Sequence, residues 1–420
     1  MDSPEERHVG RIVAVLAMCM ASAQLGTSAV NAALPDMASW AGDAAQAQWA
    51  VVSYLLTLTS GSLVVGYLGD LLGRGRVLAG GLLLFVMASV ICALAPSMWI
   101  LIAGRLLQGV GAAAMTALPL ALVRDTVPAG RAGTAMGALG TAAAVGTASG
   151  PALGGLLLGV WGWPAIFWAM LPLPVLVLAV LSGMRVLATG RTRSDIMVAT
   201  ELGDPAKSAQ SPTRNRVMIG NRVMIGAVTL NLLVSAIMMS TLVVGPFYLT
   251  GALGLGSAAM GVAMAAGPLT SVCVGVLAGR FVDRGEPARL VAFGLVFMAV
   301  AAAALAFLPP LLGLPGYLTG TVLLAPGYQL FMAANNTHVM QSVPAARRGT
   351  AAGLLGLSRS IGQVTGASLL AWLFALAAGG LVETPYTDLD AGLRIVFGLL
   401  AVILVAAALA SRHGDRANRP

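Results

Sequence analysis

The chain is a succession of apolar runs, each about twenty residues long, separated by short segments that carry most of the charged residues. A hydrocarbon core about 30 Å thick is spanned by roughly 20 residues of α-helix. Strands cross a membrane only as a closed barrel of alternating polarity, and no stretch of this sequence alternates. Only 10% of the 420 residues are charged and 58% are hydrophobic, which excludes a water-soluble domain. The pattern predicts an all-α integral membrane protein.

The apolar runs predict twelve transmembrane helices. The predicted ranges are 12–34, 47–69, 77–95, 98–123, 132–158, 162–184, 217–248, 256–280, 289–309, 315–341, 349–378 and 391–410. The first run also has the form of a secretory signal, because Arg7 and Arg11 precede an apolar stretch. The apolar run continues to Leu34, however, and this length favours an uncleaved helix.

Basic residues collect on one face of this topology. Of the 24 Lys and Arg residues, 21 fall on that face, whereas Arg105 and Arg359 lie within helices and Arg394 lies near the opposite face. Cytoplasmic loops retain Lys and Arg. The distribution therefore predicts a multi-pass protein of the cell (inner) membrane with both termini in the cytoplasm.

An internal repeat relates the two halves of the chain. Residues 127–153 align with residues 343–369, and 13 of the 27 pairs are identical. An even number of predicted helices separates the copies, so the halves have parallel topology, as in one class of secondary transporters. We predict two parallel six-helix bundles, residues 1–184 and residues 217–420 with a short cytoplasmic tail. The polar segment 185–216 is predicted to be a cytoplasmic linker.

Glycines and charges cluster between the second and third predicted helices. They are Gly66, Asp70, Gly73, Arg74 and Arg76, and Asp283 occupies the place of Asp70 in a second copy, Gly279–Asp283. Glycine permits a tight turn, and an aspartate caps a helix or pairs with a basic group. The spacing resembles the signature loop between helices 2 and 3 of the major facilitator superfamily. The resemblance implies a gating loop, and the alternative is an ordinary turn with arginines that set the topology.

The fifth helix carries a glycine-rich pattern. Its residues are Gly146, Gly150, Pro151, Gly154 and Gly155. Glycines four residues apart lie on one face of a helix and let another backbone approach closely, so tight helix packing is a sufficient explanation. The pattern also resembles the motif associated with antiporters of the superfamily, which favours efflux. We expect Gly150 and Gly154 to form a close contact that opens or closes the outer pathway.

The first helix resembles that of one particular branch of the superfamily. Its sequence around Asn31 and Leu34-Pro35, followed later by Ser53-Tyr54, is similar to that of the drug/proton antiporter branch, of the multidrug efflux type. Two features depart from that branch: Gly26 stands where the branch usually has aspartate, and twelve helices are predicted instead of fourteen.

By the predicted boundaries, no Asp or Glu lies in the middle of a helix. Polar residues within helices are therefore the candidates for lining a cavity or coupling to an ion: Asn31, Arg105, Gln108, Asn335, Asn336, His338 and Arg359. An arginine inside a span must face a partner, a cavity or water. We expect Arg359 to contact a neutral or anionic substrate, or else to be held by helix-end carbonyls and polar neighbours. Histidine is the side-chain type that ordinarily changes charge near neutral pH, so His338 is either a proton relay or an interfacial histidine.

The resemblance implies a secondary active transporter that moves a small amphipathic molecule by alternating access, with proton-coupled efflux as the expected mode. The alternatives are an uptake carrier and a non-transporting membrane sensor on the same scaffold. An enzyme is not expected, because the spans supply neither paired carboxylates nor a nucleophile with a base. We expect no cofactor, metal or nucleic-acid partner. The expected partners are a small-molecule substrate, a proton or other ion gradient, and the lipid bilayer.

Overall fold

The computed structural model of the protein describes residues 4–183, 222–344, 348–379 and 386–417. Within these ranges the chain forms helices joined by short turns, and no strand is present. The predicted linker, residues 185–216, lies outside the described residues.

The first half contains six long helical segments. They are α1 (Pro4–Ala32), α2 (Ala44–Leu72), α3 (Arg74–Ala93), α4 (Met98–Thr126), α5 (Ala129–Trp161) and α6, which consists of Pro164–Ala169 and Pro172–Gly183. A short helix, Leu34–Ala41, follows α1 and ends at Gly42, whose φ of 68° is left-handed. The Asp43 carboxylate then caps α2 by accepting a hydrogen bond from the Ala45 N–H at 2.8 Å.

The second half repeats this arrangement. It contains α7 (Arg222–Phe247), α8 (Ser257–Arg284), α9 (Pro287–Phe307), α10 (Leu314–Ser342), α11 (Arg348–Thr365) and α12 (Tyr386–Ala417). A π-helical turn, Tyr248–Ala252, extends α7. A second π-helical segment, Gly366–Leu370, extends α11 and leads into Ala371–Ala377. Single π-helical turns are rare and often lie near functional sites.

Most of these helices have the length and composition of membrane spans. The described residues contain ten such helices, or eleven if Ala45–Ser62 and Val64–Leu72, which are bent by 45°, form one span. The helix α10 is 29 residues long but is not among them, and its sequence is rich in Gly, Thr, Tyr and Asn. The predicted all-α, multi-pass architecture is confirmed.

The helices pair in the same way in both halves. In the first half α1 packs on α5, and both α2 and α3 pack on α4. In the second half α7 packs on α11, and both α8 and α9 pack on α10. The halves meet where α5 contacts α8, where α2 contacts α11 and where α1 contacts α7. When one half is superposed on the other, the α5–α8 contact falls on the α11–α2 contact. An axis along the membrane normal requires this correspondence.

Glycines at repeated positions make the matching contacts possible. A methyl group on Gly146 would collide with the Ala21 carbonyl of α1, and one on Gly362 would collide with the Leu232 carbonyl of α7. Gly150 and Gly366 lie one turn further along α5 and α11 and are equally close to α1 and α7. The internal repeat thus encodes the same close packing in each half, because only glycine allows two backbones to approach this closely.

Candidate functional site

A cavity of about 900 Å³ lies between the two halves. Four helices of each half line it: α1, α2, α4 and α5, and α7, α8, α10 and α11. Its hydroxyl and amide groups come from both halves and include Gln24, Thr27, Ser28, Thr59, Thr147, Thr241, Ser271, Thr321, Gln329, Asn336 and Gln363. A cavity of this size accommodates a drug-sized molecule.

The second half supplies a methionine-rich wall. Met238 and Met239 come from α7, Met264 from α8 and Met332 from α10. The unbranched, polarisable methionine side chain adapts its shape to apolar surfaces. Tyr317 also lines this wall, so the cavity has an apolar side as well as hydroxyl groups.

Arg359 is the one charged residue among the described residues that line the cavity. It is half-buried, and its Nε atom is buried without a hydrogen-bond partner among the described residues. The neighbouring Ser358 does not bond to it, because the Ser358 hydroxyl donates to the Leu355 carbonyl at 2.9 Å and accepts from Asn231 at 2.8 Å. Arg359 therefore presents an unpaired cation to the cavity.

The two ends of the cavity differ. We call the end where α1 begins and α12 ends the terminal end, and the opposite end the distal end. Near the distal end, Gly155 of α5 packs against Gly261 of α8, and the Pro151 carbonyl lies beside the same glycine. Towards the terminal end, the lining includes Leu120 of α4 and Gly353 of α11, each within about two turns of the helix end. The halves are thus in contact at the distal end, and the cavity extends towards the terminal end.

The glycines of α5 contact two different helices, α1 and α8. Gly146, Gly150 and Gly154 pack on α1, within the first half, where they contact Ala21, Ser28 and Ala29. Pro151 and Gly155 make the contact across the boundary between the halves. The expected close contact of Gly150 and Gly154 is therefore with α1, and their role in the outer pathway stays a prediction. A one-residue step turns a helix by about 100°, which points Gly155 to the second half.

The sequence predicted Arg105 and Gln108 as cavity or coupling residues, but they do not line the cavity and instead form a buried network inside the first half. The Arg105 Nε–H donates to the Ala50 carbonyl at 2.7 Å, and both of its terminal nitrogens donate to the Gly26 carbonyl at 3.3 Å. Its guanidinium also donates to the Gln108 side-chain carbonyl and lies 4.0 Å from the centre of the Tyr54 ring. These partners satisfy the arginine and tie α4 to α1 and α2.

Only one of the other polar candidates lines the cavity. Asn336 lines the cavity, whereas Asn31, Asn335 and His338 do not. The Asn335 amide donates to the Ala227 carbonyl of α7 at 3.2 Å, and the Asn31 amide donates to its own helix at the Thr27 carbonyl, also at 3.2 Å. Asn335 and Asn31 are both buried in helix interfaces, where an amide needs a partner.

The predicted gating loop lies at the terminal end of the first half. Arg74 pairs with Asp70 at 2.8 Å and with Asp125, at the end of α4, at 2.7 Å. Gly73 has a φ of 97°, which only glycine adopts without strain and which lets α3 start directly after α2. Asp125 was not among the sequence candidates, although Arg124-Asp125 stands at a predicted cytoplasmic helix end.

The remaining residues of this set stay apart from that ion pair. A methyl group on Gly66 would have no neighbouring atom within 4 Å, and Arg76 is exposed. Asp283, the counterpart of Asp70 in the second half, is exposed and makes no ion pair with a described residue. The two copies of the motif therefore differ in their contacts.

A carboxylate and a tyrosine form a second polar contact that the sequence did not suggest. The Tyr248 hydroxyl, in the π-helical turn after α7, donates to the Asp390 carboxylate of α12 at 2.8 Å. The Tyr248 ring stacks on Tyr317, which lines the cavity, with 6.4 Å between ring centres. The partners are 142 positions apart in the chain, so no local pattern predicts the pair.

Comparison with known proteins identifies the family. The profile of the Major Facilitator Superfamily matches residues 16–367. The uncharacterized transporter YebQ of Escherichia coli K12 is 27% identical over 411 residues, which cover 88% of this chain and 89% of YebQ. The riboflavin transporter RibZ of Clostridioides difficile is 25% identical over 397 residues, which cover 84% of this chain and 85% of RibZ.

Two further similarities are more limited in what they show. The multidrug resistance protein Stp of Mycobacterium tuberculosis CDC 1551 is 43% identical over 151 residues, which cover 36% of this chain and 28% of Stp. The structure of a bacterial homologue of the human lysosomal transporter Spinster, in an inward-facing and occupied conformation, matches with a TM-score of 0.78 at 17% identity. The match covers 99% of this chain and 98% of the homologue, and it shows the shared fold.

The predicted fold of two parallel six-helix bundles is confirmed by this structural match and by the family profile. The family and its transporter relatives also show a transporter and not an enzyme. Because the profile spans most of the described helices, the chain belongs to the Major Facilitator Superfamily.

Proposed function

We propose that this protein exports a small amphipathic molecule across the cell (inner) membrane by alternating access, driven by a proton gradient. The observation that carries the proposal is the cavity of about 900 Å³ between two similarly built halves, which are in contact at the distal end. A substrate reaches such a cavity from the terminal end and leaves at the distal end when the halves rock against each other.

The boundary between the halves is suited to this movement. Gly155 and Gly261 meet with no side chains between them, and the Gly366–Leu370 segment of α11 contacts α2 at the symmetry-related place. The α5–α8 contact is the more extensive of the two, and the close approach of Gly155 and Gly261 forms part of it. Rigid-body movement of two domains about such an interface is a common mode of conformational change.

The proposed orientation in the membrane and the proposed direction of transport rest on the sequence and on similarity to other proteins. The basic residues on one face of the topology support cytoplasmic termini, which makes the terminal end the cytoplasmic one. Export is supported by the glycine pattern of α5, which resembles an antiporter motif, and by the local similarity to Stp. We extend these features to multidrug-type efflux as a proposal for this chain.

Proton coupling requires a group that gains and loses a proton during the cycle. No Asp, Glu or His is among the described residues that line the cavity. The Asp390–Tyr248 pair lies beside Tyr317 of the cavity lining, and we propose Asp390 as the proton-carrying group. A carboxylate at the distal end is accessible from outside while the cavity is accessible from inside.

The test is flux in inverted membrane vesicles, whose outer face is the cytoplasmic one. Riboflavin, ethidium and naphthalene-1-acetate serve as neutral, cationic and anionic probes, with an imposed proton or sodium gradient. Accumulation of a probe that requires an acidic lumen supports proton-coupled export. Accumulation only in vesicles of the opposite orientation indicates an uptake carrier, and no protein-dependent flux of any probe favours the sensor.

A further inference from the structure

We infer that the substrate class of the proposed transport is an amphipathic organic anion and that Arg359 binds its acidic group. The inference rests on the proposed function, because it assigns a ligand to the same cavity. It names a binding residue and narrows the neutral or anionic substrate expected from the sequence to an anion.

The first observation is the state of Arg359. Its guanidinium lines the cavity, and its buried Nε–H has no acceptor among the described residues. A buried donor without a partner costs about 1–3 kcal/mol, and more when it is charged. A carboxylate, sulfonate or phosphate in the cavity would accept hydrogen bonds from the terminal nitrogens of the same guanidinium, which are not buried, and would balance its charge.

The second observation is the contrast with Arg105. That arginine is fully buried, but it donates to the backbone carbonyls of Gly26 and Ala50 and to the side chain of Gln108. The fold therefore has the means to satisfy an arginine with its own groups. At Arg359 the neighbouring Ser358 is instead bonded to Asn231 and Leu355, which leaves the cation available to a ligand.

The third observation concerns cations as competing ligands. The described lining offers no carboxylate that would balance the charge of a lipophilic cation. One face of Tyr317 is already stacked on Tyr248, which reduces the aromatic surface for a cation–π contact. A positively charged ligand would also be repelled by Arg359 in a medium of low dielectric constant.

The apolar part of the substrate fits the methionine-rich wall. Met238, Met239, Met264 and Met332 all belong to the second half, as does Arg359 on α11. The second half thus supplies both the cation and the polarisable surface, and the first half faces them with hydroxyl groups such as those of Thr59 and Thr147.

Binding to the purified full-length protein in phosphatidylcholine nanodiscs tests the inference. Equilibrium dialysis measures three radiolabelled probes that share one ring: naphthalene-1-acetate, its neutral amide and 1-naphthylmethylammonium. The wild-type protein should bind the anion about tenfold more tightly than the cation, as expected for one charge-assisted contact. Arg359→Gln should lose about tenfold in affinity for the anion and change affinity for the amide by less than about twofold.

Two further variants complete the test. Arg359→Lys keeps the charge without the planar fork and should recover part of the anion affinity. Arg289→Gln removes an exposed arginine that pairs with Glu286 at 2.6 Å, and it should leave binding of all three probes unchanged. If Arg359→Gln does not fold, the probe preference of the wild-type protein and of Arg359→Lys decides the matter.

Tighter binding of the cation by the wild-type protein would overturn the inference, as would unchanged anion affinity in Arg359→Gln. The measurement uses no ion gradient, so it is independent of proton coupling and direction. Gradient-driven export of ethidium with no anion preference would leave the proposed function standing and remove the inference. Anion binding without any flux would leave the inference about Arg359 standing and remove the proposed transport function.

Discussion

Gly155 of α5 and Gly261 of α8 lie backbone to backbone across the boundary between the two halves, so close that a methyl group on Gly155 would come within 2.7 Å of the Gly261 Cα atom. The contact stands at the distal end of the cavity. Neither residue has a side chain that would separate the two backbones.

The first prediction follows from this contact. Gly155→Leu should force the halves apart at the distal end and reduce transport at least about tenfold, since an interface of two backbones has no room for a side chain. Flux and the labelling of cysteines at the distal end measure the effect. Gly140→Leu on the same helix is the control, because Gly140 is exposed and has no atoms nearby. Equal flux in both variants would contradict a role for Gly155 in closure.

The second prediction concerns the gating loop. Asp70→Asn should slow transport several-fold without preventing expression, because it removes the charge of one of the two carboxylates that pair with Arg74. Ion pairs this exposed contribute only about 0–1 kcal/mol each, yet a change of that size is enough to shift the ratio of two conformers. Turnover in proteoliposomes gives the measurement. Wild-type turnover in Asp70→Asn together with Asp125→Asn would show that these pairs do not influence gating.

The third prediction concerns the Tyr248–Asp390 hydrogen bond. Tyr248→Phe should lower the free energy of unfolding by about 1–3 kcal/mol, because the half-buried carboxylate loses its donor. Thermal unfolding in detergent measures the change, with the exposed Tyr67→Phe as the control.

Asp390→Asn should also abolish proton-driven accumulation while the binding of probes persists. Retained accumulation in this variant would require another proton carrier.

The fourth prediction separates the two arginines of the membrane interior. Arg105→Leu should destabilise the protein by about 2–3 kcal/mol, since the carbonyls of Gly26 and Ala50 and the Gln108 amide group lose a shared donor. Arg359→Leu should cost less stability, because it removes an unpaired cation. Unfolding temperatures of the two variants provide the comparison. A larger loss in Arg359→Leu would mean that its guanidinium has partners in the protein after all.

The fifth prediction tests the proposed orientation. In a variant without native cysteines, Ser194→Cys should react with an impermeant maleimide only in inverted vesicles, and Thr384→Cys only in intact cells. The reason is the distribution of basic residues, which predicts residue 194 in the cytoplasm and residue 384 outside. Reaction of both cysteines in intact cells would rule out this topology.

The sequence was sufficient for the helices and their repeat, because hydropathy and glycine spacing are local properties. All twelve predicted ranges correspond to helical segments, including α10, whose polar residues keep it below the hydropathy of the other spans. What each helix faces was harder to predict. Arg105 and Arg359 look alike in sequence, yet one is tied to neighbouring helices and the other is open to the cavity.

The sequence also did not show what the glycines of α5 contact, or which residue Asp390 contacts. Gly154 and Gly155 are adjacent, but they touch different halves of the molecule. Asp390 and Tyr248 lie on helices that are far apart in the chain. Such contacts depend on the rotation of each helix about its axis, and a span that is apolar on most sides carries little information about that rotation.

The lone cation among the described residues of the cavity lining also has an electrical consequence. With a monovalent anion bound at Arg359, the cavity is neutral as it changes its exposure; when empty, it carries one positive charge through the same movement. The membrane potential acts on a full charge crossing the field with about 2.3 kcal/mol per 100 mV. Voltage therefore acts on the charge of Arg359 mainly during the return of the substrate-free protein, and it acts on the charge of the proposed proton carrier Asp390 in addition.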